Sequence, residues 1–144
     1  MSISQKKDFS KKHGPDARPD ATIQAEIVKR VKNNEISCTV AFDISKETGI
    51  SADRIGKTAD LSGMRLAKCQ LGLFGYKPKG KIVASEEEVD SMVKQAVLDA
   101  LSDGKLSCRA AWNIASDLGT SKLRIGNACE SMKIKIVSCQ LGAF

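Results

Sequence analysis

A shift of 70 residues lays the second half of this chain on its first half without a gap. Over Ala25–Phe74 against Gln95–Phe144 the two halves share 14 identities in 50 aligned positions. Ser37-Cys38 meets Ser107-Cys108, Arg54-Ile55-Gly56 meets Arg124-Ile125-Gly126, and Cys69-Gln70-Leu71-Gly72 meets Cys139-Gln140-Leu141-Gly142. Gly49 and Ser51 meet Gly119 and Ser121, and Phe74 meets Phe144. Other pairs exchange one apolar side chain for another, such as Ile27/Val97, Ile36/Leu106, Phe42/Trp112 and Leu66/Ile136. Apolar residues at matching places imply matching cores, so the chain is expected to fold as two similar halves.

Each copy reads as three helices and a short strand. Ser85-Glu86-Glu87-Glu88 has the form of a capping box, with Glu88 placed to reach back to the backbone of Ser85. Val89, Met92, Val93, Ala96, Val97, Ala100 and Leu101 follow at helical spacing, and Gly104 is the expected stop. The matching first helix of copy one is expected from about Thr22 to Asn33. Ser37 and Ser107 are N-cap candidates for a second helix over Cys38–Thr48 and Cys108–Leu118, which Gly49 and Gly119 end. Ser51 and Ser121 then cap a third helix running to about Ser62 and Met132. Alternation in Met64–Cys69 and Ile134–Cys139 suggests strands, either as part of a wing or paired with each other across the copies.

In the second copy Ala115, Gly119 and Ile125 stand at the spacing of a tight helical crossing. Such a crossing needs a small residue on the first helix, a glycine with positive φ in the turn, and a β-branched plug on the second. The first copy has Ser45, Gly49 and Ile55 in those places. On these residues the chain resembles the helix-turn-helix transcriptional regulators of bacteria and archaea, some of them winged. The resemblance covers about two thirds of the chain. It implies a mainly α fold of two tandem helix-turn-helix repeats packed as a pseudo-symmetric pair. The expected boundaries are 1–21 for a disordered basic tail, 22–74 for repeat one, 75–84 for a basic linker and 85–144 for repeat two.

Those families lay the third helix in the major groove and read bases from its N-terminal side. Carried over by position, the implied contacts are Ser51, Ala52, Arg54 and Lys57 in repeat one, and Ser121, Lys122, Arg124 and Asn127 in repeat two. Serines near a helix N-terminus suit phosphate, arginine suits guanine, and asparagine suits adenine. The plainer reading of Arg54 and Arg124 is a surface ion pair in each copy. Asp53 and Asp60 oppose a polyanion. Gly56 and Gly126 are costly inside a helix, at ~1 kcal/mol each relative to alanine. Their presence points to a close approach, by DNA backbone or by the other repeat.

Charge places the polyanion contact unevenly. The chain carries +6. The tail nets +2 and repeat one +2, the segment Gly75–Ser85 contributes Lys77, Lys79 and Lys81 with no acid, and Glu86–Phe144 nets −1. Lys6, Lys7, Lys11 and Lys12 of the tail join those three lysines as sequence-independent phosphate contacts. Double-stranded DNA is the expected partner. A protein partner held through repeat two is the alternative, with the helix-turn-helix shape reused as an adaptor. Either a monomer with pseudo-dimeric repeats or a homodimer fits the pattern.

Five cysteines without a secretory signal fit a reducing cytoplasm rather than a disulfide framework. Cys38, Cys69, Cys108 and Cys139 form two equivalent pairs that a tetrathiolate metal site or a redox sensor could use, since a helix N-terminus lowers a thiol pKa. No Cys-x-x-Cys loop accompanies them, and buried packing is the plainer reading. No cofactor is expected. An enzyme is not expected either, because the one histidine, His13, lies in the tail and no nucleophile–base pair or phosphate-cradling loop is present. There is no run of 18 apolar residues, so no membrane span is expected.

Overall fold

The computed structural model describes residues 12–15, 17–78 and 80–144. The chain is mainly α, with six helices and four short strands among the described residues. It divides into two compact units, Met1–Ala67 and Lys68–Phe144. The first unit contains α1 (Ala21–Val28), β1 (Glu35–Ser37), α2 (Cys38–Thr48), α3 (Ala52–Leu61) and β2 (Arg65–Ala67). The second contains α4 (Ser91–Ala100), β3 (Leu106–Ser107), α5 (Cys108–Leu118), α6 (Lys122–Met132) and β4 (Ile136–Val137). The order of elements is the same in both. The first Cys-Gln-Leu-Gly string, at the end of the first sequence copy, folds with the second unit.

Local chemistry sets most of the element ends. Ser37 Oγ accepts from the Val40 amide at 3.2 Å, and Ser107 Oγ from the Ala110 amide at 3.1 Å. Each bond satisfies one of the free donors at a helix start. Gly49 and Gly119 end α2 and α5 with φ of 73° and 63°. Ser45, in the place of Ala115, uses its hydroxyl to donate to the Ile50 carbonyl at 2.5 Å, so the less usual residue ties the turn shut.

The first helix of each unit departs from expectation. Its N-cap is an aspartate, and in the second unit this replaces the expected capping box at Ser85. Asp90 Oδ1 accepts from the Met92 and Val93 amides at 2.9 and 3.2 Å, and α4 starts at Ser91. Asp20 Oδ1 does the same for Thr22 and Ile23. The helices also stop early, at Val28 and Ala100. Asn33-Asn34 and Asp103-Gly104 then take positive φ, between 52° and 73°, inside two-residue turns bridging Lys32 to Glu35 and Ser102 to Lys105. Asparagine, aspartate and glycine are the residues that tolerate such a turn. Gly104 therefore serves a turn, not a helix end.

The strands pair neither as a wing nor across the copies. β2 runs parallel to β1 with Ile36 opposite Leu66, and β4 runs parallel to β3 with Leu106 opposite Ile136. Each pair ties the segment before the second helix to the segment after the third. In the first unit Ile23, Ile27, Ile36, Ala41, Ile44, Ile55 and Ala59 are buried. In the second, Val93, Val97, Leu106, Ala111, Ile114, Ile125, Ala128 and Ile136 form one core together with Cys69 and Leu71. Burying each large aliphatic side chain contributes ~1.5–3 kcal/mol.

Candidate nucleic-acid interface

The third helices were expected to offer a groove-reading face. On α6 that face is covered by the chain's own residues. Ile125, Gly126, Ala128 and Cys129 are buried. A methyl group added at Gly126 would fall on the Leu71 carbonyl oxygen, with Val83 Cγ1 at 3.1 Å. The close approach inferred for this glycine is thus made by the Cys69-Gln70-Leu71-Gly72 loop. Asn127 Oδ1 accepts from the Ala84 amide at 2.9 Å. One turn further on, Ser131 Oγ accepts from the Glu86 amide at 2.5 Å and donates to the Glu86 carbonyl at 3.3 Å. Lys81 Nζ stands 3.2 Å from Glu130 Oε1. Asn127 and Ser131 are four residues apart on the helix, which matches two residues of extended chain. Residues 81–86 therefore form a strap along α6.

The start of α6 stays open. Ser121 is exposed and accepts from the Arg124 amide at 3.2 Å. Lys122 Nζ lies 4.6 Å from the centroid of the Trp112 ring. Arg124 is half exposed, its guanidinium 4.0 Å from Asp90 Oδ2. On α3 Ser51, Asp53, Arg54 and Lys57 are exposed and Ala52 is partly buried. Ser51 sits at the N-cap position without a side-chain capping bond. Arg54 pairs with Asp20 Oδ2 at 3.1 Å. Both arginines therefore reach the aspartate that caps the first helix of their own unit. The match of Asp20 with Asp90 at the same 70-residue shift was the signal that could have revealed this pair.

Asp60, expected to repel phosphate from α3, is 4% exposed. Lys12 Nζ at 3.0 Å and His13 Nε2 at 2.8 Å both stand against its Oδ2. Its charge is used within the unit and does not face a polyanion. Lys6, Lys7, Lys11 and Lys79 lie outside the described residues.

The described residues of the lysine-rich segment are folded. Tyr76 and Gly80 exchange backbone hydrogen bonds, at 3.0 Å from the Tyr76 amide and 2.6 Å from the Gly80 amide. The Tyr76 hydroxyl donates to the Cys69 carbonyl at 2.6 Å and anchors the base of this hairpin. Lys77 is exposed at the tip, and Lys81 is exposed just beyond it.

Most of the cysteines are packed into the cores of the two units. Cys38, Cys69, Cys108 and Cys129 are buried and Cys139 partly so. Burial pushes the Cys129 thiol up to about 11, and raises Cys69 and Cys108 above the ordinary thiol value. Cys108 opens α5, where the helix end alone would lower its pKa, but the cost of desolvating a thiolate is larger. Gln140 Nε2 donates to Cys108 Sγ at 3.6 Å, which gives that glutamine a structural task. Among the described residues no group of three His, Cys, Asp or Glu side chains is placed to hold a metal ion. No described helix is long and apolar enough to cross a membrane.

Comparison with protein-family models, with curated proteins and with solved structures gives no match.

Proposed function

We propose that this chain binds duplex DNA through the phosphate backbone, as a regulator built from two helix-turn-helix repeats in tandem. The observation that carries the reading is the anchored basic hairpin. Lys77, Lys79 and Lys81 fall within five residues of the sequence with no acid among them, and Lys77 and Lys81 are exposed beside a turn held by the Tyr76 hydroxyl. A pre-formed loop presents its charges at lower entropic cost than a free tail. The first turns of α6 (Ser121, Lys122, Arg124) and α3 (Ser51, Arg54), with exposed Lys57 one turn further along α3, add donors and positive charge. Base reading along α6 has no place in this proposal, because Gly126, Asn127 and Glu130 already face the loop and the strap.

The same covering favours a second reading, in which the helix-turn-helix shape serves as a protein-interaction module and contacts no DNA. A mobility-shift series on a 30-base-pair duplex separates the two. The DNA reading expects binding at low salt, little sequence preference, and a log–log salt slope of about −3 to −5. Lys77→Gln with Lys81→Gln should flatten that slope by about two. No complex even at ~25 mM salt would reject the DNA reading and leave the interaction module.

A further inference from the structure

In the second unit a cavity of about 410 Å³ opens beside α6, lined by Phe74, Phe144, Ile134, Ile136, Cys129 and Lys135 among others. The chain has only four phenylalanines, and two of them meet here edge to face, 6.0 Å between centroids. Phe144 is 44% exposed, so a large apolar side chain stands open to solvent at this place. Leu73 completes an apolar wall. Two charged residues also line the cavity, and they differ in what they already hold. Glu130 is paired with Lys81. Lys135 is exposed and has no ion-pair partner among the described residues. An apolar body with one unpaired cation at its edge is complementary to a small amphipathic anion.

We infer that this cavity binds a small organic monocarboxylate with an aromatic or medium-chain body. Its apolar part packs between Phe74, Phe144, Ile134 and Ile136, and its carboxylate pairs with Lys135 Nζ. The volume suits a ligand of up to roughly fifteen non-hydrogen atoms. A phosphate or sulfate ion alone fits poorly, because nothing in the apolar wall would hold it. The inference is independent of DNA binding.

The test is isothermal titration of the full chain with phenylacetate, 2-naphthoate and octanoate, beside benzyl alcohol and benzylamine as neutral and cationic controls. The expected result is saturable binding of at least one carboxylate with a Kd between roughly 10 µM and 1 mM. Lys135→Gln should weaken the carboxylate about tenfold and leave the alcohol unchanged. Phe144→Ala should weaken both, with the fold of the variant checked by circular dichroism. The inference is overturned if no carboxylate saturates by about 10 mM, if benzylamine binds as well as phenylacetate, or if Lys135→Gln leaves the carboxylate affinity unchanged.

Discussion

Helices α3 and α6 occupy equivalent places in the sequence and are held in different ways. Each has a buried glycine, Gly56 and Gly126, and each has an arginine that reaches an N-cap aspartate. On α6 the acid at the far end, Glu130, takes one lysine from the strap. On α3 the matching Asp60 is deeply buried and takes both Lys12 and His13. In both cases a segment preceding the first helix delivers a lysine to the acid of the third helix. At the 70-residue shift these segments still match Lys11 with Lys81 and Asp20 with Asp90, while Lys12-His13 meets Ile82-Val83. What duplicates therefore extends beyond the 50 aligned positions, and the two versions have diverged in how they hold one acid.

The largest expected effect breaks the comparison at the glycine. Gly126→Ala puts a methyl group onto a backbone carbonyl, which cannot yield as a side-chain tip can. It should cost 3 kcal/mol or more in denaturant unfolding, roughly the scale of severe overpacking. A loss below about 1 kcal/mol would mean that the Leu71 loop does not rest on α6. Gly56→Ala is the matched change, and its cost measures how closely α3 is approached.

A second difference lies three residues further along. Cys129 stands where the first copy has Ala59. Its folded pKa of about 11 lies above the ordinary thiol value of 9.0, so the native state keeps its proton to higher pH than the unfolded chain. The stability tied to this thiol is complete below pH 9 and is lost as pH rises through about 11, by at most ~2–3 kcal/mol. Cys129→Ala, which copies Ala59, should remove that part of the alkaline loss. Identical alkaline unfolding of the variant and the parent chain would refute the assignment.

The smallest effect concerns the arginines. Both are half or more exposed, and such pairs contribute under ~1 kcal/mol. Arg54→Gln, losing a 3.1 Å pair, should cost more than Arg124→Gln, losing one at 4.0 Å, and the difference should vanish in ~1 M salt. Equal costs at low salt would remove this contrast between the units.

Much of the fold could be read from single residues. The bounds of α2 and α5 followed from Ser37, Ser107, Gly49 and Gly119, because caps and positive-φ turns are local. The start of α4 did not follow, although Ser85-Glu86-Glu87-Glu88 carries a local helix signal. The backbone of Glu86 is bound by Ser131, and that long-range use outweighs the capping box. β1 and β3 are two or three residues long, too short for any alternation to show. The site was legible in part. Ser51, Arg54, Ser121 and Arg124 are exposed at helix starts, and Lys57 is exposed midway along α3. The covering of Asn127 was not legible, because its partner, Ala84, offers only a backbone amide, and no side-chain pattern marks that.

The strap over α6 decides whether that face of the helix is covered or open, and amide hydrogen exchange at Ala84 and Glu86 tests it directly. These two N–H groups are held by the side chains of Asn127 and Ser131. Both are expected to exchange well below the rate of an unstructured peptide. Asn127→Ala should release Ala84, and Ser131→Ala should release Glu86. Free-peptide exchange at both positions in the unmodified chain would contradict it, and would return the face of α6 to solvent.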